Sequence, residues 1–237
     1  MSTEDSTPFY KSDHCSLFTD HCSLFTDHCS LFTDHDPWAM LRGYEPLSLC
    51  DWPGKVTAVL FFGGCNLRCP TCHNARLAWE PQSLPPLDAG EVLKKIDQDK
   101  TWLDGLVITG GEPTILPGLE QVLNRLKSFN LPLKLDTNGL RPDVVKLVLE
   151  KDLARVIAVD VKGPWDKYPQ LTGNKVSSQK AQECLEAIFD MAIKYPHCFM
   201  FRCTKVPDLT EDDLQIVRSY LPQGFSLKEQ TYIESNI

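Results

Sequence analysis

The sequence predicts an α/β fold in which parallel strands are joined by helices, and three observations carry that expectation. Short apolar runs alternate with longer segments whose apolar residues recur at helical spacing, from about Arg42 onward. Five consecutive apolar runs each deliver polar or thiol side chains at the same end. A chain of 237 residues is long enough to bury one sizeable core, and no second core is visible in the pattern.

The elements follow in order. Asp51-Trp-Pro-Gly54 reads as a tight turn, with proline pre-set for its second position and glycine for its third. Residues 55–62 form a buried apolar run, and the proline-rich link 81–86 is a surface connection. Residues 88–100 have helical spacing at Val92, Leu93 and Ile96, with Asp88 as N-cap. A short strand at 105–109 precedes an amphipathic helix at 119–129, and a strand at 133–136 precedes a helix at 143–150. Residues 155–161 are the fourth strand, and the helix 179–194 turns Cys184, Leu185, Ile188 and Met191 inward. A strand at 198–206, a helix at 211–220 and a last strand at 226–232 complete the series. Cys50, Cys184, Cys198 and Cys203 lie in apolar patterns and are expected in the core.

Residues 1–40 differ in kind from the body at 41–237. His14-Cys-Ser-Leu-Phe-Thr-Asp20 recurs unchanged at 21–27 and 28–34. Each unit is rich in Ser, Thr and Asp and has only a Leu-Phe pair to bury, so a low-complexity tail that does not fold on its own is expected. The sharper alternative is a metal-binding tract, since Cys15, Cys22 and Cys29 each follow a histidine.

Composition narrows the function. The formal charge of −8 argues against a nucleic-acid surface, which needs a basic patch. No apolar run reaches the length of a membrane span, and Met1-Ser-Thr-Glu-Asp5 lacks the start of a secretory signal. The ten cysteines are therefore expected in a reducing cytoplasm, serving metals, catalysis or the core.

The densest chemical signal is Cys65-Asn-Leu-Arg-Cys69-Pro-Thr-Cys72, directly after the first strand. Three close thiols can hold an iron–sulfur cluster by three irons and leave the fourth open, whereas electron-transfer clusters use four. A zinc site with His73 as fourth ligand is the alternative, and His73 is equally readable as a ligand contact or a plain loop residue. Gly110-Gly-Glu-Pro113 follows the second strand, as a tight turn or as a bare backbone that a ligand approaches while Glu112 receives an ammonium group. Asp136-Thr-Asn-Gly139 ends the third strand, either as an Asx-type turn or with Asp136 compensated by a cation or by hydrogen-bond donors. Asp160 and Lys162 end the fourth strand on one face, and Arg202 lies on the fifth.

Ser48-Leu-Cys-Asp-Trp-Pro-Gly-Lys55, Gly64-Cys-Asn-Leu-Arg-Cys-Pro-Thr-Cys-His-Asn74, Asp104-Gly-Leu-Val-Ile-Thr-Gly-Gly-Glu-Pro113 and Leu135-Asp-Thr-Asn-Gly139 together resemble the activating proteins of anaerobic ribonucleoside-triphosphate reductases. These are radical S-adenosylmethionine (radical SAM) activases of glycyl-radical enzymes, and pyruvate formate-lyase activases share much of the pattern. The resemblance covers roughly residues 43–206. It implies a partial, open β/α barrel of about six parallel strands. It also implies that Cys65, Cys69 and Cys72 ligate a 4Fe–4S cluster, the catalytic centre, whose open iron chelates S-adenosylmethionine. Thr71 and His73 would border that cofactor, and Gly110, Gly111 and Glu112 would meet its methionyl end. Asp160, Val161 and Lys162 would line its ribose or carboxylate side, with Arg202 as a looser match. Asp136 and Thr137 would lie nearby and share a monovalent cation. The implied partners are a glycyl-radical enzyme and an electron donor such as flavodoxin or ferredoxin. The sequence departs from the family at Thr71, where an aromatic residue is usual, and in the triplicated tail.

Overall fold

The computed structural model describes residues 36–234, so the heptad repeat lies outside the described residues. A single seven-stranded sheet runs through them in sequence order. Strand β1 (Leu41–Ser48) is antiparallel to β2 (Thr57–Phe62). From β2 the sheet is parallel through β3 (Gly105–Gly110), β4 (Leu133–Thr137), β5 (Val156–Asp160), β6 (Phe199–Lys205) and β7 (Leu227–Thr231). The six parallel strands match the expectation, and the sheet is open because β1 and β7 are its two free edges. Strand β1 was not anticipated, because Arg42-Gly-Tyr-Glu-Pro46 has neither an apolar run nor a clean alternation, and it is bulged at two places.

Five helices make the crossovers: α2 (Ala89–Asp99), α3 (Leu119–Lys127), α4 (Pro142–Glu150), α6 (Ser178–Lys194) and α7 (Glu211–Tyr220). Two short helices, α1 (Ala75–Trp79) and α5 (Tyr168–Leu171), lie in the loops after β2 and β5. The crossover boundaries are set locally. Asp88 caps α2 through the Glu91 amide at 3.2 Å, Pro142 opens α4, and Thr210 and Asp213 form a reciprocal capping box on α7.

Alternate residues of each strand pack beneath the helices. Leu60, Ile108, Leu135, Val159 and Phe201 are all buried there with Val122, Val148 and Ile188 from the helices. On the opposite face, at the amino-terminal end, Trp52, Val59 and Val107 form a separate apolar floor. Trp52 comes from the predicted turn, which closes with the Lys55 amide on the Trp52 carbonyl at 3.0 Å. Gly105 admits its indole, because a Cβ there would stand 2.8 Å from the ring.

Three local expectations change. Cys50 is exposed, since it sits in the connection after β1 rather than in a strand, and Cys198 is only partly buried at the start of β6. Pro37–Met40, assigned by sequence to the tail, is a 3₁₀ turn whose Trp38 and Met40 pack on the core, with the Trp38 ring 6.0 Å from Phe62.

Candidate functional site

The carboxyl ends of β2 to β6 converge on one cavity of about 220 Å³. Its first wall is the loop after β2. Leu67 is buried, Arg68 donates to the Cys65 and Leu67 carbonyls at 2.8 Å, and the Cys72 amide bonds the Cys69 carbonyl at 3.1 Å. The Arg68 amide is tied to the Thr172 carbonyl at 3.1 Å beside Gly173, whose φ of 65° and missing Cβ allow the contact. All three cysteines line the cavity.

Gly110 and Gly111 form the next element, and the atoms they admit are the protein's own. A Cβ on Gly111 would lie 1.9 Å from the Gly64 carbonyl oxygen, and one on Gly110 would lie 2.3 Å from that of Phe62. The Glu112 amide instead bonds Gly64 at 2.8 Å, and Asn74 donates to the Gly110 carbonyl at 3.1 Å. The glycine pair therefore fastens the cysteine loop to β3, and both residues still face the cavity.

Glu112 is buried and accepts four hydrogen bonds. Thr114 gives its amide at 3.1 Å and its hydroxyl at 2.5 Å, Thr137 its hydroxyl at 2.7 Å, and Asn138 its amide at 2.7 Å. Burial pushes its carboxyl up against the pull of those donors. Glu112 thus joins the end of β3 to the end of β4, and Asn138 continues the tie to the cysteine loop through Asn66 at 2.8 Å.

Beyond it runs a line of alternating charges that the sequence reading had only in part. Lys134, fully buried on β4, bonds Asp136 Oδ1. Arg202 Nη1 reaches Asp136 Oδ2 at 3.2 Å, and its Nε reaches Asp160 Oδ1 at 2.9 Å. Lys162 Nζ closes the line on Asp160 Oδ2 at 3.1 Å. Burial by itself would raise the Asp160 carboxyl, but Arg202 and Lys162 hold it down to about 2. Burial works against the ammonium of Lys134 and lowers it, with Asp136 opposing. The Lys162 amide is fixed by the Tyr168 hydroxyl at 2.9 Å.

Of the residues singled out from sequence, Cys65, Cys69, Cys72, Thr71, His73, Gly110, Gly111, Glu112, Asp136, Thr137, Asp160, Lys162 and Arg202 all border this cavity. Val161 does not: its neighbours Asp160 and Lys162 take the cavity side of the extended chain, and Val161 is buried in the helix-side core. His73 lies at the exposed rim, its ring stacked on Tyr232 at 5.2 Å. Sequence reasoning missed Lys134, Asn66 and Asn138. The first sits in an apolar strand with only the i, i+2 spacing to Asp136 as a signal, and the two asparagines look like ordinary loop residues.

Burial pushes the Cys65 thiol up to about 12, with Glu112 adding to the effect, and raises Cys69 and Cys72 as well. Lys162 opposes the shift at all three. Thiols of this kind ionise when cationic iron arrives, so binding and deprotonation are coupled. Among the described residues no three of His, Cys, Asp and Glu converge on a single metal ion. Three thiols around one cavity, without a common point, fit a cluster with its irons at separate corners.

A family model described as the Radical SAM superfamily matches residues 59–221. A protein of Methanocaldococcus jannaschii, named as a candidate glycyl-radical enzyme activating enzyme, is 31% identical over 178 residues, which are 74% of this chain and 72% of its own length. The pyruvate formate-lyase-activating enzyme of Clostridium pasteurianum is 29% identical over 72% of this chain and 70% of its own. The 7-carboxy-7-deazaguanine synthase of Hyperthermus butylicus is 28% identical over 70% of this chain and 74% of its own. The crystal structure of Streptococcus suis SuiB bound to S-adenosylmethionine shares the fold with a TM-score of 0.53 at 13% identity, over 75% of this chain and only 43% of that one. With the three-thiol loop and the polar strand ends on one cavity, the match over most of the sheet leads to one conclusion: this chain belongs to the radical SAM superfamily, the enzymes that pair a 4Fe–4S cluster with S-adenosylmethionine.

Proposed function

We propose that the protein is an activase that generates a glycyl radical on a partner enzyme, and that the partner is an anaerobic ribonucleoside-triphosphate reductase. The observation that carries the activase reading is the 31% identity to a relative of that name across nearly three quarters of both chains. The reductase as partner rests on the resemblance of the whole motif set at 48–55, 64–74, 104–113 and 135–139, much of which pyruvate formate-lyase activases share. An electron donor of the flavodoxin or ferredoxin kind and a cytoplasmic setting belong to the same proposal. Among the described residues no helix is long and apolar enough to cross a membrane.

In this reading Cys65, Cys69 and Cys72 hold the cluster, and the cavity behind them takes S-adenosylmethionine. When bound, the pair supplies a one-electron cleavage of the sulfonium and a carbon radical able to take hydrogen from a glycine Cα. The protein's part is placement. Glu112 fixes the ends of β3 and β4 beside the cysteine loop, while Asp160 holds Lys162 and Arg202 at the mouth. Leu171 and Val206 give the cavity an apolar side that excludes water.

A second reading, a small-molecule radical SAM enzyme, is favoured by the match to a 7-carboxy-7-deazaguanine synthase. Anaerobic incubation of the cluster-loaded chain with S-adenosylmethionine, a reductant and a purified anaerobic reductase separates them. A glycyl-radical signal on the reductase, seen by electron paramagnetic resonance, is the expected result. Cofactor cleavage with no such signal, together with formation of 7-carboxy-7-deazaguanine from its precursor, would replace the activase with the synthase.

A further inference from the structure

The charge line at the mouth bears on the monovalent cation that the family resemblance assigned to Asp136 and Thr137. The two residues do not fit an added ion. Asp136 Oδ1 faces the Lys134 ammonium and Oδ2 faces the Arg202 guanidinium, so each carboxylate oxygen already has a cation at hydrogen-bond distance. The Thr137 hydroxyl donates to Glu112 at 2.7 Å and accepts from the Gly139 amide at 3.1 Å. Among the described residues the one buried side-chain polar atom lacking a partner is the Tyr44 hydroxyl, on β1, so no orphaned oxygen at Asp136 awaits a ligand.

The surroundings of Lys134 explain why its ammonium points to Asp136. In register it lies between Val107 on β3 and Val156 on β5, level with the apolar floor. Neither neighbour offers a counter-charge. The chain Lys134, Asp136, Arg202, Asp160, Lys162 then holds three cations against two carboxylates. An alkali ion added at Asp136 would stand beside two of those cations and be repelled by both.

We propose that Lys134 is a positioning residue whose ammonium serves as a built-in monovalent cation at Asp136, so that the site works without an alkali metal. Asp136 is oriented from below by Lys134, and it in turn holds Arg202 toward Asp160 and the cavity mouth. The inference stands whichever substrate the enzyme takes, and its test is independent of glycyl-radical formation.

The test uses the full chain with its cluster, exchanged into potassium, sodium or choline chloride at one ionic strength. The melting temperature and the affinity for S-adenosylmethionine are measured in each, and crystals are soaked in rubidium for anomalous scattering. The wild-type protein is expected to change its affinity by less than threefold between salts and to show no rubidium peak at Asp136. A change of threefold or more that favours an alkali ion over choline, or a rubidium ion on Asp136, overturns the proposal. Lys134→Ala removes the ammonium and opens room for an ion. It is expected to melt about 10 °C lower in choline. Potassium or sodium should recover at least half of that loss. A folded Lys134→Ala protein with the same melting temperature in all three salts also overturns the proposal. If the variant does not fold, the wild-type and rubidium measurements decide alone.

Discussion

Strand β4 presents two different molecules on its two faces. Leu133 and Leu135 point into the helix layer and are buried among Val145, Val148 and Leu126, where only shape and apolar area matter. Lys134 and Asp136, one residue over, are also buried but are ionisable, each paired with a neighbour of opposite type. The same alternation sets Val159 against Asp160 on β5 and Phe201 against Arg202 on β6. The helix face makes the sheet stable, and the opposite face uses that rigidity to hold costly charges in fixed positions at the cavity.

Removal of the metal ligands tests the functional face most severely. Cys69→Ala should lose the cluster and all cleavage of S-adenosylmethionine, read as iron content and as product released. Cleavage at the normal rate by that variant would show the cluster to be elsewhere.

Stability should then separate the faces by mechanism. Arg202→Met leaves Asp136 and Asp160 with one cation each and no link between them, a loss of about 3–5 kcal/mol. Leu135→Ala opens a cavity in the helix face and should cost about 2–5 kcal/mol. The two losses overlap in size but not in their response to pH. The Asp160 carboxyl is held at about 2, below its ordinary value of 3.8, by Arg202 and Lys162. A depressed carboxyl contributes stability above its unfolded value and loses it as the pH falls toward the folded one. Wild-type and Leu135→Ala proteins should therefore share an acid-side loss between about pH 4 and 2, on the order of 2 kcal/mol, which Asp160→Asn removes. Denaturant melts across that range give the slopes, and an unchanged slope in Asp160→Asn would mean that the charge line does not hold the carboxylate down.

These differences also explain what was legible in the sequence. The helix face repeats with the period of its elements, so the six parallel strands and five crossover helices are readable from apolar spacing alone. The thiols and strand-end acids are readable because their chemistry is rare at such spacing. Lys134 was not, because a lysine within a strand is ordinarily solvated, and only the three-dimensional approach of β6 supplies the Arg202 that completes its network. Within Asp160-Val-Lys162 the pleat turns the Val161 side chain to the core while its two neighbours face the cavity, an alternation that a three-residue motif match does not display. Strand β1 was hidden by Gly43 and Pro46, which break the alternation it would otherwise show.

The smallest effects are expected away from both faces. Cys50→Ser alters an exposed side chain and should stay within about 0.5 kcal/mol of wild type. Deletion of residues 2–35 keeps Asp36, whose carboxylate caps the Pro37–Met40 turn, and should leave cluster content and cofactor cleavage unchanged. A truncated protein that bound iron normally but no longer cleaved S-adenosylmethionine would assign the heptad repeat a part in the reaction.

The central claim is that the polar strand ends form one cofactor pocket with the cysteine loop. Anaerobic titration of the reconstituted cluster with S-adenosylmethionine, followed by the resonance spectrum of the reduced cluster, tests it most directly in Glu112→Ala and Asp160→Asn. Glu112→Ala unties the ends of β3 and β4 and Asp160→Asn loosens Lys162 and Arg202, so each disturbs the placement of cavity-lining groups through interactions worth on the order of 1.5–3 kcal/mol. The account predicts full iron content in both variants and an affinity roughly ten- to a hundredfold weaker than wild type. Wild-type affinity in both, with the cluster intact, would contradict it.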